Sequence, residues 1–284
     1  MNLHHPIVAA AIVPFILCFV LAAVIRFAGG ERLGRRFAGA AIGTAATAAV
    51  LLALGTPPWP PATGAQKVPY LLAMATVAGI ALDAWRPGGF TWPAVIASWA
   101  AILCIAWPQL AQGRVAALVV PVVLALAMIP ISARLAVLRE DGAMPLVMIV
   151  AAGLGMAGIA FAGASLAVAE VGASLAAAAG AYALWNWPRP RLPLGAAGVV
   201  VCAAGIASIA ALVLLTTKAR PWPLIPIALV FFADLATRRL TPRPGRVRQL
   251  LAPVLLGAVA AALVGTAIIL ATASGHPDSD PYYR

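Results

Sequence analysis

The sequence predicts an all-α fold: a polytopic integral membrane helical bundle of about ten transmembrane helices, with both termini on the outer side. Three observations carry that expectation. First, 63% of the 284 residues are apolar and only 10% are charged, whereas a soluble domain holds roughly 45–50% apolar and about 25% charged residues. A soluble fold of this length could not bury so much apolar surface while presenting so few charges. Second, the apolar residues fall into successive runs close to the roughly 20 residues needed to cross a bilayer. Third, the basic residues lie in the short loops between those runs and are biased to one side.

The first run, 6–28, follows MNLHHP, which lacks the basic start of a secretory leader. It is also longer than a leader's apolar core, so it reads as a retained span. Spans follow at 37–55, 68–85, 91–107 and 114–132. The stretch from Met144 to Trp187 is too long for one crossing and is divided at Ala169-Glu170-Val171-Gly172 into 145–168 and 171–187. Runs at 193–215, 221–236 and 249–272 complete the series, forming one transmembrane domain over 1–284 with no soluble domain. The fourth, seventh and ninth runs are short or marginal, which sets the lower limit at eight. Prolines 221, 223 and 226 make the start of the ninth the segment expected to be irregular.

Charge orients this threading. With the N-terminus outside, fourteen of the 19 basic residues fall on one side, among them Arg26, Arg36, Arg134, Arg139, Arg191 and the run Arg238–Arg248. The positive-inside rule makes that side cytoplasmic, which implies a multi-pass protein of the inner (plasma) membrane. The same loop bias accounts for the net charge of +11, so nucleic acid is not an expected partner. Seven of the eight tryptophans lie at or beyond span ends, as headgroup anchors do. Trp99, in mid-span, is the exception.

Cys18, Cys104 and Cys202 sit inside apolar runs without CxxC spacing, and read as small buried hydrophobes. The histidines His4, His5 and His276 lie near the termini. No metalloprotease, nucleophile-elbow, P-loop or dinucleotide motif is present, and neither metal nor cofactor is expected. Small residues recur at four-residue spacing at Gly39/Gly43, Gly158/Ala162, Gly172/Ala176/Gly180 and Gly257/Ala261/Gly265. In lipid such stripes let helix backbones approach closely, within the bundle or against a partner or second copy.

The candidate substrate or ion-pathway residues are Asp83, Asp234, Lys67, Glu170, Arg86, Arg238 and Trp59. Sixteen residues separate Lys67 from Asp83 and Lys218 from Asp234, roughly 24 Å of helix at about 1.5 Å per residue. Each lysine and its aspartate therefore lie at opposite faces of the bilayer. The matched interval raises the question of an internal repeat, a common basis of transporter folds. Arg86 and Arg238 stand about one turn beyond the two aspartates and offer local ion pairs. The alternative is a cation- or proton-handling role, since acids within spans are costly and mark pathways. Glu170 is expected in a tight turn. The stiff PPWPP loop presents Trp59 and Lys67 at the outer surface, either as a rigid connector or as a seat for an anionic group.

A transporter or permease for a small or apolar solute is the first functional reading, because midplane polar residues are too sparse for a hydrophilic one. A non-catalytic membrane-complex subunit or assembly factor is the second. The third is an integral-membrane enzyme acting on a lipid or polyprenyl phosphate.

Overall fold

A computed structural model describes residues 8–85, 91–112, 118–240 and 246–273, with the side chains of 238–240 and 246–250 outside the description. A π-helical turn, Val8–Ile12, leads into α1 (Val13–Ala28). Then come α2 (Gly30–Phe37), α3 (Ala40–Leu54), α4 (Gly64–Trp85), α5 (Thr91–Leu110), α6 (Val119–Leu138) and α7 (Met144–Ala162). The series ends with α8 (Leu166–Trp185), α9 (Gly195–Thr216), α10 (Leu224–Val230), α11 (Ala233–Leu240) and α12 (Arg246–Ala273). No strand occurs among the described residues. The chain is a polytopic membrane protein: eight of these helices are long and apolar enough to cross a bilayer, or nine if the bent pair α2–α3 is one span.

Several boundaries differ from the sequence expectation; the span expected at 114–132 is α6, which runs on to Leu138 and takes Arg134 into the helix. The long apolar stretch breaks at Gly163-Ala164-Ser165 rather than at Glu170. The Gly163 N–H closes α7 on the Ile159 carbonyl, and Ala164 takes the left-handed region at φ 59°. Glu170 consequently lies one turn inside α8. The segment expected as a single span over 221–236 is two short helices, α10 and α11, neither long enough to cross alone. Pro226 lacks the N–H of a continuous ladder, and the chain turns at Phe231-Phe232 before α11 begins. The segment 37–55 is entered through a 50° bend, because the first part of the pair, GERLGRRF, is charged and exposed at Glu31, Arg32 and Arg35.

Helix α9 is the axis of the bundle. Its most apolar stretch is 89% buried, against 22–56% for the other seven spans. A helix that is apolar all round must be covered all round, and α9 is buried from Ala196 to Val213. Its neighbours are α3, α4, α5, α6, α7 and α8.

Glycine permits the tightest approaches. A Cβ on Gly79 of α4 would stand 2.4 Å from the Cα of Ala197, and one on Gly39 would stand 2.1 Å from the Leu194 carbonyl oxygen. Between α7 and α8, Gly153 and Gly172 face each other's carbonyls, each at 2.9 Å from the other's would-be Cβ. The stripes at Gly39/Gly43 and Gly172/Ala176 are thus occupied inside the bundle, whereas Gly265 of α12 has nothing within 4 Å of that position. Gly79→Ala is expected to cost about 1–3 kcal/mol, because the clash is with backbone and only helix separation relieves it. Gly265→Ala serves as the control. Thermal denaturation in detergent should show a lowered midpoint for the first variant and none for the second.

Hydrogen bonds tie the helix ends into two opposite faces. On one, Leu194 N–H donates to the Arg139 carbonyl across 3.1 Å, and Arg36 donates to the last carbonyls of α4. On the other, the Gln109 amide donates to the Leu215 carbonyl at 3.0 Å, and Lys218 N–H to that of Gly163 at 3.4 Å. The first face carries Arg26, Arg36, Arg134, Arg139, Arg189 and Arg191.

Candidate functional site

Asp83 sits in the last turn of α4, 3% exposed. An acid at a helix C-terminus opposes the local dipole, but this carboxylate belongs to a different helix's N-terminus. Its Oδ1 accepts from Ala196 N–H at 2.8 Å and its Oδ2 from Ala197 N–H at 3.0 Å. These are first-turn donors of α9 that no intrahelical carbonyl can reach. The carboxylate can approach because Gly195, at φ 63°, carries no side chain: a Cβ there would meet Asp83 Oδ2 at 3.1 Å. Arg36 completes the joint by donating through Nε to the Asp83 carbonyl and through a terminal nitrogen to Ala84 at 2.8 Å. Each helix end thus meets charge of the sign its dipole favours.

Asp234, at the start of α11, is fully buried. Both its oxygens are bonded by the guanidinium of Arg134 from α6, in a two-pronged ion pair. Thr237 Oγ donates to the Asp234 carbonyl at 3.0 Å and steadies the first turn. A cavity of about 300 Å³ lies between α6, α7, α9 and α10. Met128, Ile131, Met156, Ile206, Trp222 and Phe231 line it. Ile131 stands three residues before Arg134 on α6, so Arg134 continues that helix face by about one turn; Phe231 lies in the break three residues before Asp234. The neighbouring Ser132 hydroxyl is buried and without a hydrogen-bond partner among the described residues.

The other sequence candidates are held apart from this site. Lys67 Nζ donates to the Cys104 carbonyl of α5 at 2.8 Å. That carbonyl is free because its helical partner four residues on is Pro108, which has no N–H. Lys67 therefore closes a gap in its neighbour's ladder. Trp59 is 80% exposed, edge-on to Tyr70 at 5.6 Å, and Tyr70 pins the proline loop by donating to the Pro57 carbonyl at 3.2 Å. Glu170 is half-buried on α8, its backbone carbonyl accepting from Ser174 Oγ at 2.8 Å. Arg86, and the side chain of Arg238, lie outside the described residues, so the local pairs expected for the aspartates do too. The two matched intervals also differ in form: Lys67–Asp83 lies in one continuous helix, and Lys218–Asp234 spans a loop, a short helix and a break.

Sequence reasoning passed over three residues. Arg134 and Arg36 were only part of a loop-charge bias, because their partners are 100 and 47 residues away. Asn186, between Trp185 and Trp187, is 2% exposed and organises the loop after α8. Its Oδ1 accepts from Arg191 N–H at 3.1 Å and Leu192 N–H at 2.9 Å, and its Nδ2 donates to the Tyr182 carbonyl at 3.3 Å. Trp99, the mid-span exception, donates its indole N–H to the Ala125 carbonyl of α6 at 2.9 Å.

Among the described residues, no group of His, Cys, Asp and Glu is gathered so as to hold a metal ion. Comparison of the chain with protein-family models, curated proteins and solved structures finds no match.

Proposed function

We propose that the chain is a transporter or permease-like protein for a small apolar or amphipathic solute, acting in the inner (plasma) membrane with its arginine-rich face toward the cytoplasm. One observation carries the reading. The short helix α10 and the break at Phe231 line an apolar cavity of about 300 Å³, and the buried Arg134–Asp234 pair lies about one turn along α6 from the lining residue Ile131. A cavity without polar wall suits an apolar body, and a bidentate ion pair about one turn away is a strong polar feature that a solute's head could compete for. Interrupted helices at binding sites are a recurring device of transporters, since backbone breaks are tolerated where they line a cavity. In this reading Asp83 and Lys67 hold helices together, and the moving part is α10–α11.

The test is flux into proteoliposomes of purified protein, using three fluorescent amphiphiles that are cationic, anionic and neutral. At least one should accumulate faster than into protein-free vesicles. Ala127→Trp, which fills the cavity without touching the ion pair, should lower that flux tenfold or more with the thermal midpoint kept. No protein-dependent flux of any probe, or flux unchanged by Ala127→Trp, overturns the proposal.

A further inference from the structure

On the arginine-rich face, away from the α10 cavity, Arg26, Phe27, Trp185, Arg191 and Leu192 line an open pocket of about 370 Å³. The wall itself is almost wholly apolar, and neither the Arg26 nor the Arg191 guanidinium has a hydrogen-bond or ion-pair partner among the described residues, so both are left for a group at the pocket's mouth. The pocket is also built rather than accidental. Arg26 is fixed in the last turn of α1. Arg191 is fixed by the buried Asn186, which bonds its backbone N–H, and by Tyr182, whose hydroxyl donates to the Pro193 carbonyl at 2.9 Å. Trp185 forms the wall, donating its indole N–H to the Phe19 carbonyl at 3.3 Å, with its ring centroid 5.0 Å from Phe19 and 6.4 Å from Phe27.

We infer that this pocket binds the phosphate-bearing headgroup of an anionic membrane phospholipid. Two guanidinium forks are the side chains best matched to phosphate oxygens. The depth and the remaining wall identify the phosphate as a lipid's. Arg26 and Trp185 occupy the last turns of two spanning helices, where headgroups lie. Phe27, Trp185 and Leu192 offer an apolar surface that a free anion would not use and that glycerol and acyl carbons would. Basic pockets between transmembrane helices are a known form of anionic-lipid site. The inference does not depend on the transport reading, since the two sites share no residue.

The experiment takes the full chain, delipidated in neutral detergent, and adds phosphatidylglycerol, phosphatidylcholine or inorganic phosphate. Bound lipid is read by native mass spectrometry and the thermal midpoint by denaturation. Phosphatidylglycerol should stay bound and raise the midpoint, while phosphatidylcholine and inorganic phosphate should do neither. The double variant Arg26→Gln, Arg191→Gln should bind phosphatidylglycerol at least tenfold more weakly. A double variant with equal charge loss on α2, Arg32→Gln, Arg35→Gln, should change it by less than about twofold. Should the glutamine pair not fold, Arg26→Lys with Arg191→Lys keeps the charge, removes the forks and should still lose at least threefold. Protection by inorganic phosphate alone, equal binding of phosphatidylcholine, or equal loss in both glutamine pairs overturns the inference.

Discussion

Asp83→Ala is expected to destabilise the detergent-solubilised protein by about 2–5 kcal/mol, seen as a lower thermal midpoint. The variant strips both acceptors from the Ala196 and Ala197 N–H groups at the head of α9. Each orphaned buried donor costs about 1–3 kcal/mol, and water cannot readily replace the carboxylate where α9 is buried from Ala196 onward. The loss falls on the helix that touches most of the bundle, so it is not confined to a frayed end. Asp83→Asn keeps one acceptor and turns an amide toward the second donor, and should recover about half. A variant as stable as the parent would mean that α9 is fastened by something else.

The second large effect is at Arg134–Asp234. Removing one partner of a buried pair leaves the other uncompensated, at about 3–5 kcal/mol. Arg134 is 18% exposed, so Asp234→Ala should fall near the lower end, about 3 kcal/mol. Replacing both, as Arg134→Met with Asp234→Leu, removes the charges together and should restore most of the stability. Under the transport reading the restored protein still lacks flux, because the ion pair about one turn from the cavity is gone. Stability and flux therefore separate in the double variant. Flux surviving in a stable double variant removes the pair from the mechanism.

The class of fold was legible from composition and run length, because a bilayer demands apolar segments of set length whatever their sequence. Places where the chain breaks were legible in part. Prolines 221, 223 and 226 announced an irregular segment, and the structure has one there. The turn between α7 and α8 was misjudged because Glu170 is polar, although Gly163 and Ser165 were the better marks of a helix end and a helix start. What the sequence could not disclose is pairing across distance. A local search joins Asp83 to Arg86 by spacing, while its carboxylate reaches donors 113 and 114 residues on. Lys67 had one clue, since Pro108 announces an unpartnered carbonyl at Cys104. No rule of spacing links that carbonyl to a lysine in another helix.

Buried acids fasten the helices to one another, and Asp83 at the head of α9 is the main fastener. Hydrogen–deuterium exchange of the segment 193–199, in the wild type and in Asp83→Ala, tests this most directly. The Ala196 and Ala197 amides should exchange slowly in the wild type and roughly 30-fold faster or more in the variant, the factor that about 2 kcal/mol gives. Equal exchange of those amides in the two proteins would contradict that role of Asp83.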